Sequence, residues 1–161
     1  MSQTSYSIAQ SAAKNGQLAD IGIKDVISKI NLALALKFGT LGVRGASEGL
    51  CTSPAAAGDV TDEKKVLGVV LCTQDLESSL TGDPQYPIQS AVPLLRKGRV
   101  WVKTEETATV ASDVFVRYAA GGNGVGSFGV SAGTSERAAL ANAKVTVGAA
   151  ANGLMQIEVN F

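Results

Sequence analysis

Along much of this chain, apolar residues recur at every second position. In Leu154–Phe161, Met155, Ile157, Val159 and Phe161 fall on one face. Arg99–Thr104 sets Val100, Val102 and Thr104 against Arg99, Trp101 and Lys103, and Asp113–Tyr118 sets Val114, Val116 and Tyr118 against Asp113, Phe115 and Arg117. Successive side chains of a strand point to opposite faces, so this period predicts half-buried β-strands. Lys144–Val147 repeats the pattern. Asn31–Phe38 predicts another strand, with Leu32, Leu34, Leu36 and Phe38 on one side and Gly39 ending it. Val66–Thr73 is a continuous apolar run suited to a short buried strand.

Two stretches read less cleanly. In residues 18–30, Ile23, Val26, Ile27 and Ile30 keep helical spacing, but Gly22 and the β-branched content weaken a helix. Thr134–Lys144 has good helix propensity with only Leu140 as a large anchor, and reads as a short helix or a loop. Residues 39–49 turn on four glycines. Residues 53–65 and 74–87 read as solvated loops broken by proline and glycine. The expectation is a mainly β chain: a small β-barrel or sandwich-like domain with glycine-rich loops.

Residues 1–20 are polar and small, with isolated Tyr6, Ile8 and Leu18. Such a stretch buries little by itself, which predicts an extended N-terminal arm whose three apolar residues contact a neighbour. The division expected is an arm and linker over 1–30 and a β-rich domain over 31–161. One domain is the default for 161 residues.

Composition narrows the function. Charged residues make up 17% of the chain, below the roughly 25% usual in soluble domains, which is consistent with some surface being covered by other subunits. Lys+Arg and Asp+Glu total 14 each. A nucleic-acid binder normally carries a basic excess, so no nucleic-acid partner is expected. The cluster Arg96, Lys97 and Arg99 reads as a solvated turn. No stretch reaches the ~18 apolar residues of a membrane span, and MSQTSYSIAQ has neither the basic start nor the apolar core of a signal peptide. Synthesis in the cytoplasm and no membrane partner are the expectations. Cys51 and Cys72 are too few for a disulfide scaffold.

The chain has no histidine, which removes Ser-His-Asp, Cys-His and histidine-based metal chemistry. Gly124–Gly129 fits G-x-G-x-x-G, but no helix or parallel βαβ pattern follows, and residues 137–157 hold no acid for a ribose. It reads as a hairpin or surface loop. Ser11–Lys14 matches S-x-x-K inside the polar arm, without a supporting core. The adjacent acids Glu105-Glu106 and Asp62-Glu63 would point to opposite faces of a strand and read as solvated turn residues. Asp59, Asp62 and Glu63 lack the spacing of a calcium loop. Trp101, the single tryptophan, fits a barrel-closing or subunit-interface position. Neither an enzyme nor a cofactor is expected.

The segments RKGRVWV at 96–102, DVFVRY at 113–118 and GGNGVGSFG at 121–129 form a recognisable set. With Gly16, Asp20, Phe38-Gly39, Gly58-Asp59, VLGVV at 66–70 and GLMQIEV at 153–159, they resemble the capsid cement or decoration proteins of tailed bacteriophages, loosely from about Gly16 to Phe161. The chain has Ser112 where that family often has glycine before the acidic residue of its second strand. The resemblance implies a non-enzymatic virion protein on the capsid surface. It would bind the major capsid protein, bridge neighbouring subunits and act as a homo-oligomer, with a trimer favoured. The competing reading is a small β-barrel binding module for carbohydrate or another virion component. That reading wants clustered exposed aromatics or a basic groove, and the scattered aromatics supply neither.

Overall fold

The computed structural model describes residues 13–20, 22–32, 34–72 and 84–161. In chain order the elements are β1 (Asp25–Asn31), β2 (Leu36–Lys37), β3 (Leu41–Arg44), β4 (Leu50–Thr52), α1 (Ala57–Thr61), β5 (Val66–Val70), β6 (Gln85–Tyr86), β7 (Ser90–Lys103), β8 (Phe115–Arg117), β9 (Phe128–Gly129), β10 (Arg137–Ala139), β11 (Ala143–Val147) and β12 (Leu154–Asn160). The chain is mainly β, as its alternation predicts.

Seven strands form one sheet in the order β1-β4-β3-β5-β7-β12-β11, and pairing of β1 with β7 closes the first five into a barrel. Closure leaves those strands without free edges. β7 holds the molecule together. Its first half pairs with β1, from Asn31↔Ser90 to Asp25↔Lys97, and with β5. From Lys97 to Lys103 it pairs with β12, which carries β11 beyond the barrel. A second sheet, β10-β8-β9, covers the outer side, and a two-stranded ribbon of β2 and β6 closes one end of the barrel.

Two hydrophobic cores result. Leu36, Phe38, Cys51, Leu67, Val70, Tyr86, Val92 and Leu94 fill the barrel interior. At its closed mouth the rings of Phe38 and Tyr86 meet edge to face at 5.1 Å, and the Tyr86 hydroxyl donates to the Leu71 carbonyl at 2.9 Å. The larger core lies between the outer faces of β3, β5 and β7 and the second sheet, centred on Phe128, Val100, Val102, Val116, Met155 and Ile157. β5 separates the two. Leu67 and Val70 face the barrel, while Val66 and Val69 face the other core. All five of its residues are therefore buried, as a run without alternation requires. Gly68, at φ +150°, lets the strands approach there: a Cβ would overlap the Leu95 carbonyl.

Several elements differ from the sequence expectation. Residues 25–31, ambiguous by period, form β1, so the barrel begins before residue 31. The single strand expected over 31–38 does not form. β1 ends at Asn31, β2 is two residues long, and Leu32 and Leu34 are exposed while Leu36 and Phe38 are buried. Alternation there continued across a break in the backbone. The loop expected at 53–65 contains α1, begun by the Asp59 carboxylate accepting the amides of Ala55 and Ala56 at 3.0 and 3.1 Å. Thr134–Lys144 holds β10 rather than a helix, because pairing with β8 and burial of Ala138 and Leu140 override propensity.

Cys51 and Cys72 are not joined in a disulfide. Burial pushes the Cys51 thiol up to about 11. Burial raises the Cys72 thiol as well, and since the thiolate is the reactive form, both thiols should alkylate slowly in the native protein and fully on unfolding. Intact mass after iodoacetamide treatment, with and without denaturant, checks this.

Candidate functional site

Among the described residues, no cluster of three or more potential metal ligands gathers. Asp59 is bound to Lys65 at 2.9 Å, Asp62 accepts the Lys64 amide, and Glu63 accepts the Asn142 side-chain amide. These acids serve their own loop. The features that could serve a partner are surfaces and the elements that support them.

The root of the arm is the first such feature. Residues 16–19 lie antiparallel along β7. The Gly16 amide donates to the Trp101 carbonyl at 2.8 Å, the Trp101 amide to Gln17 at 2.9 Å, and the Ala19 amide to Arg99 at 2.9 Å. Asn15 adds a clamp: its side-chain amide donates to the Phe38 carbonyl at 2.6 Å and its oxygen accepts the Lys103 amide at 2.9 Å. Leu18 sits opposite Val100 and packs, half-buried, against the larger core. Trp101 is half-buried on the opposite face of β7 from Val100 and Val102. Leu18 and Trp101 therefore belong to one strand pair. Tyr6 and Ile8 lie outside the described residues.

Trp101 shares the outer face of β7, β12 and β11 with a line of charges. Arg99 Nε reaches Glu158 at 3.2 Å, Arg99 Nη1 reaches Asp20 at 3.7 Å, and Lys144 Nζ reaches Glu158 at 3.4 Å. Exposed pairs of this kind contribute about 0–1 kcal/mol each, so they orient the face more than they stabilise it.

The second feature is an ionic cluster that the sequence reading missed. Glu105 and Glu106, expected as solvated turn residues, follow β7 and turn inward toward Arg117 of β8 and Arg137 of β10. The side chains of Glu105, Arg117 and Arg137 are 7%, 5% and 8% exposed. Arg117 holds Glu105 through Nε at 2.9 Å and Nη2 at 2.7 Å, and reaches Glu136 at 2.5 Å. Arg137 donates to both Glu105 and Glu106. Arg117, set against Val114 and Val116 along its strand, is nonetheless buried, because the glycine loop lies against its guanidinium and Glu105 and Glu136 hold it.

The glycine-rich segment 121–129 closes this cluster. The Asn123 amide and the Ser127 hydroxyl donate to Glu105 at 2.9 and 2.7 Å. A Cβ on Gly122, whose φ is +49°, would overlap the Glu105 carboxylate. Burial alone would raise the Glu105 pKa, but the hydrogen bonds from Arg117, Ser127, Asn123 and Arg137 outweigh it and hold the group at about 2. The apparent nucleotide motif is a loop wrapped around a buried carboxylate, and ends in β9.

A third feature is exposed apolar surface. Ile30, Leu32, Leu34 and Ile88 are each about half exposed. Leu34 opens onto a groove of about 670 Å³ that also takes in Ala35, Val43, Pro54, Tyr118 and Val125.

The comparisons with known proteins point to a structural protein. Residues 2–160 match a family model described as structural cement protein (E217 gp24/Pam3 gp6). No curated protein sequence matches the chain. A solved chain from "The capsid of Myoviridae Phage XM1" shares the fold, with a TM-score of 0.71 over 96% of this chain and 95% of that one at 15% identity. With that family match over nearly its whole length, the chain belongs to the phage structural cement protein family.

Proposed function

We propose that this protein binds the outer surface of a phage head and stabilises the mature shell by bridging neighbouring major capsid protein subunits. The observation that carries this reading is the family match over residues 2–160. The fold suits the task. A closed barrel and a second sheet give a rigid body, and residues 16–19 are paired to it beside Trp101.

Stabilisation would follow from linkage. A protein that binds the expanded shell better than its precursor favours the expanded shell, and repetition over many equivalent sites adds avidity. A cyclic homotrimer gives each capsid subunit around a three-fold position the same contact. Residues 1–20 extend that contact through Tyr6, Ile8 and Leu18. The protein is made in the bacterial host cytoplasm and resides in the virion.

Purified protein added to emptied heads that lack it should co-sediment with them at saturating, symmetry-related copy number, and its native mass should be that of a trimer. Deleting residues 1–12, which spares the paired root, should leave the β-sheet circular dichroism unchanged and weaken head binding. Failure to co-sediment would refute the capsid reading, and equal binding by the truncated protein would remove the arm from it.

A further inference from the structure

The barrel has two unlike mouths. One is plugged by Phe38 and Tyr86. The other opens as a cleft of about 330 Å³, with Ile27, Val66 and Leu67 in its lining and Lys29, Arg44, Lys64 and Arg96 around them. These four cations come from β1, β3, the turn before β5, and β7, so barrel closure gathers charges that lie far apart in sequence. The chain is neutral overall, which makes this a local asymmetry.

Few carboxylates answer these cations. Glu63 lines the cleft and is engaged by Asn142. Asp25 stands 3.9 Å from Arg96. Lys29 donates to the Glu48 carbonyl at 2.6 Å, which fixes its ammonium in place without neutralising it. Among the described residues, Lys29, Arg44 and Lys64 have no carboxylate within ion-pair distance.

We infer that this basic mouth is a docking site for a carboxylate-rich protein segment on the capsid surface. The inference rests on the proposed capsid role and names the face that meets the shell. Charge complementarity is the argument: preplaced, unpaired cations around an apolar floor favour an acidic peptide whose stem can rest on Ile27 and Leu67. Nucleic acid fits less well, because the cleft is short and presents no aromatic side chain for base stacking.

The test uses the full-length protein with Arg44→Glu and Lys64→Glu combined. Both side chains are exposed, so the thermal melt should be unchanged. The control places the same net charge change at four exposed turn positions, Val110→Glu, Ala111→Glu, Ala150→Glu and Ala151→Glu. With emptied heads, wild-type and control should bind alike and lose affinity as salt rises. The cleft variant should bind at least about tenfold more weakly, with little salt dependence. A labelled glutamate decapeptide, read by fluorescence anisotropy, should bind wild-type and control but not the cleft variant. Equal head binding by cleft variant and wild-type, equal loss in both variants, or tighter binding of duplex DNA than of the peptide would overturn the inference. Wild-type protein that binds the peptide but not heads would overturn the capsid reading, and this site's role on the shell with it.

Discussion

Replacing Glu105 with alanine should lower unfolding stability by about 3–5 kcal/mol, because it leaves two buried guanidinium groups without their shared carboxylate. In a chain of this size that corresponds to a fall in melting temperature of roughly 6–20 °C, read by calorimetry. Replacing Glu105, Arg117 and Arg137 together with leucine or methionine should recover much of the loss, since removing the buried ions together costs less than orphaning one of them, and the remaining partners Glu106 and Glu136 are partly exposed. The same carboxylate sets an acid limit. Its pKa falls from an ordinary 4.5 to about 2 on folding. A depressed carboxylate stabilises fully above its unfolded value and loses that contribution as pH falls through its folded one. Wild-type stability should therefore decline between about pH 4.5 and 2, and the triple apolar variant should show a shallower decline.

Gly68→Ala should be comparably damaging, at about 3 kcal/mol or more. The residue sits at φ +150° in β5, and an added methyl would overlap the Leu95 carbonyl of β7. Relief requires moving β5 away from β7, which loosens the barrel interior and the larger core together. Gly58→Ala is the contrasting substitution: nothing lies within 4 Å of its would-be Cβ, and stability should hold or rise slightly. Paired denaturant titrations of the two variants check both expectations.

The sequence carried the β class and its main strands because alternation in 99–104 and 154–161 is a local property of half-buried backbone. β5 was legible from its length and β-branched content. The ionic cluster was not, because its members are up to 32 residues apart. Adjacent acids look alike whether they face water or two buried arginines, and only the position of the second sheet decides. Leu32 and Leu34 misled for a related reason. Apolar residues kept on the surface imitate a core face, so the alternation from Asn31 to Phe38 predicted a strand where β1 had already ended. In a chain that works by contact, such exposed residues are expected. Of the residues expected to contact a partner, Leu18 and Trp101 are neighbours through β7. No local signal linked them, since their pairing spans more than eighty residues.

The root of the arm has a mechanical consequence. Residues 16–19 run antiparallel to β7, joined by hydrogen bonds to Arg99 and Trp101, and the opposite edge of β7 is paired with β12 up to the chain's end, where the Phe161 amide meets the Arg96 carbonyl. A pull on the arm along the strand axis therefore loads these bonds in shear, all at once, rather than peeling them one by one. Force passes into β7, which contributes to both cores, so the joint resists until its hydrogen bonds part together. A shell held through such a root would be tied by bonds that share the load instead of failing in sequence.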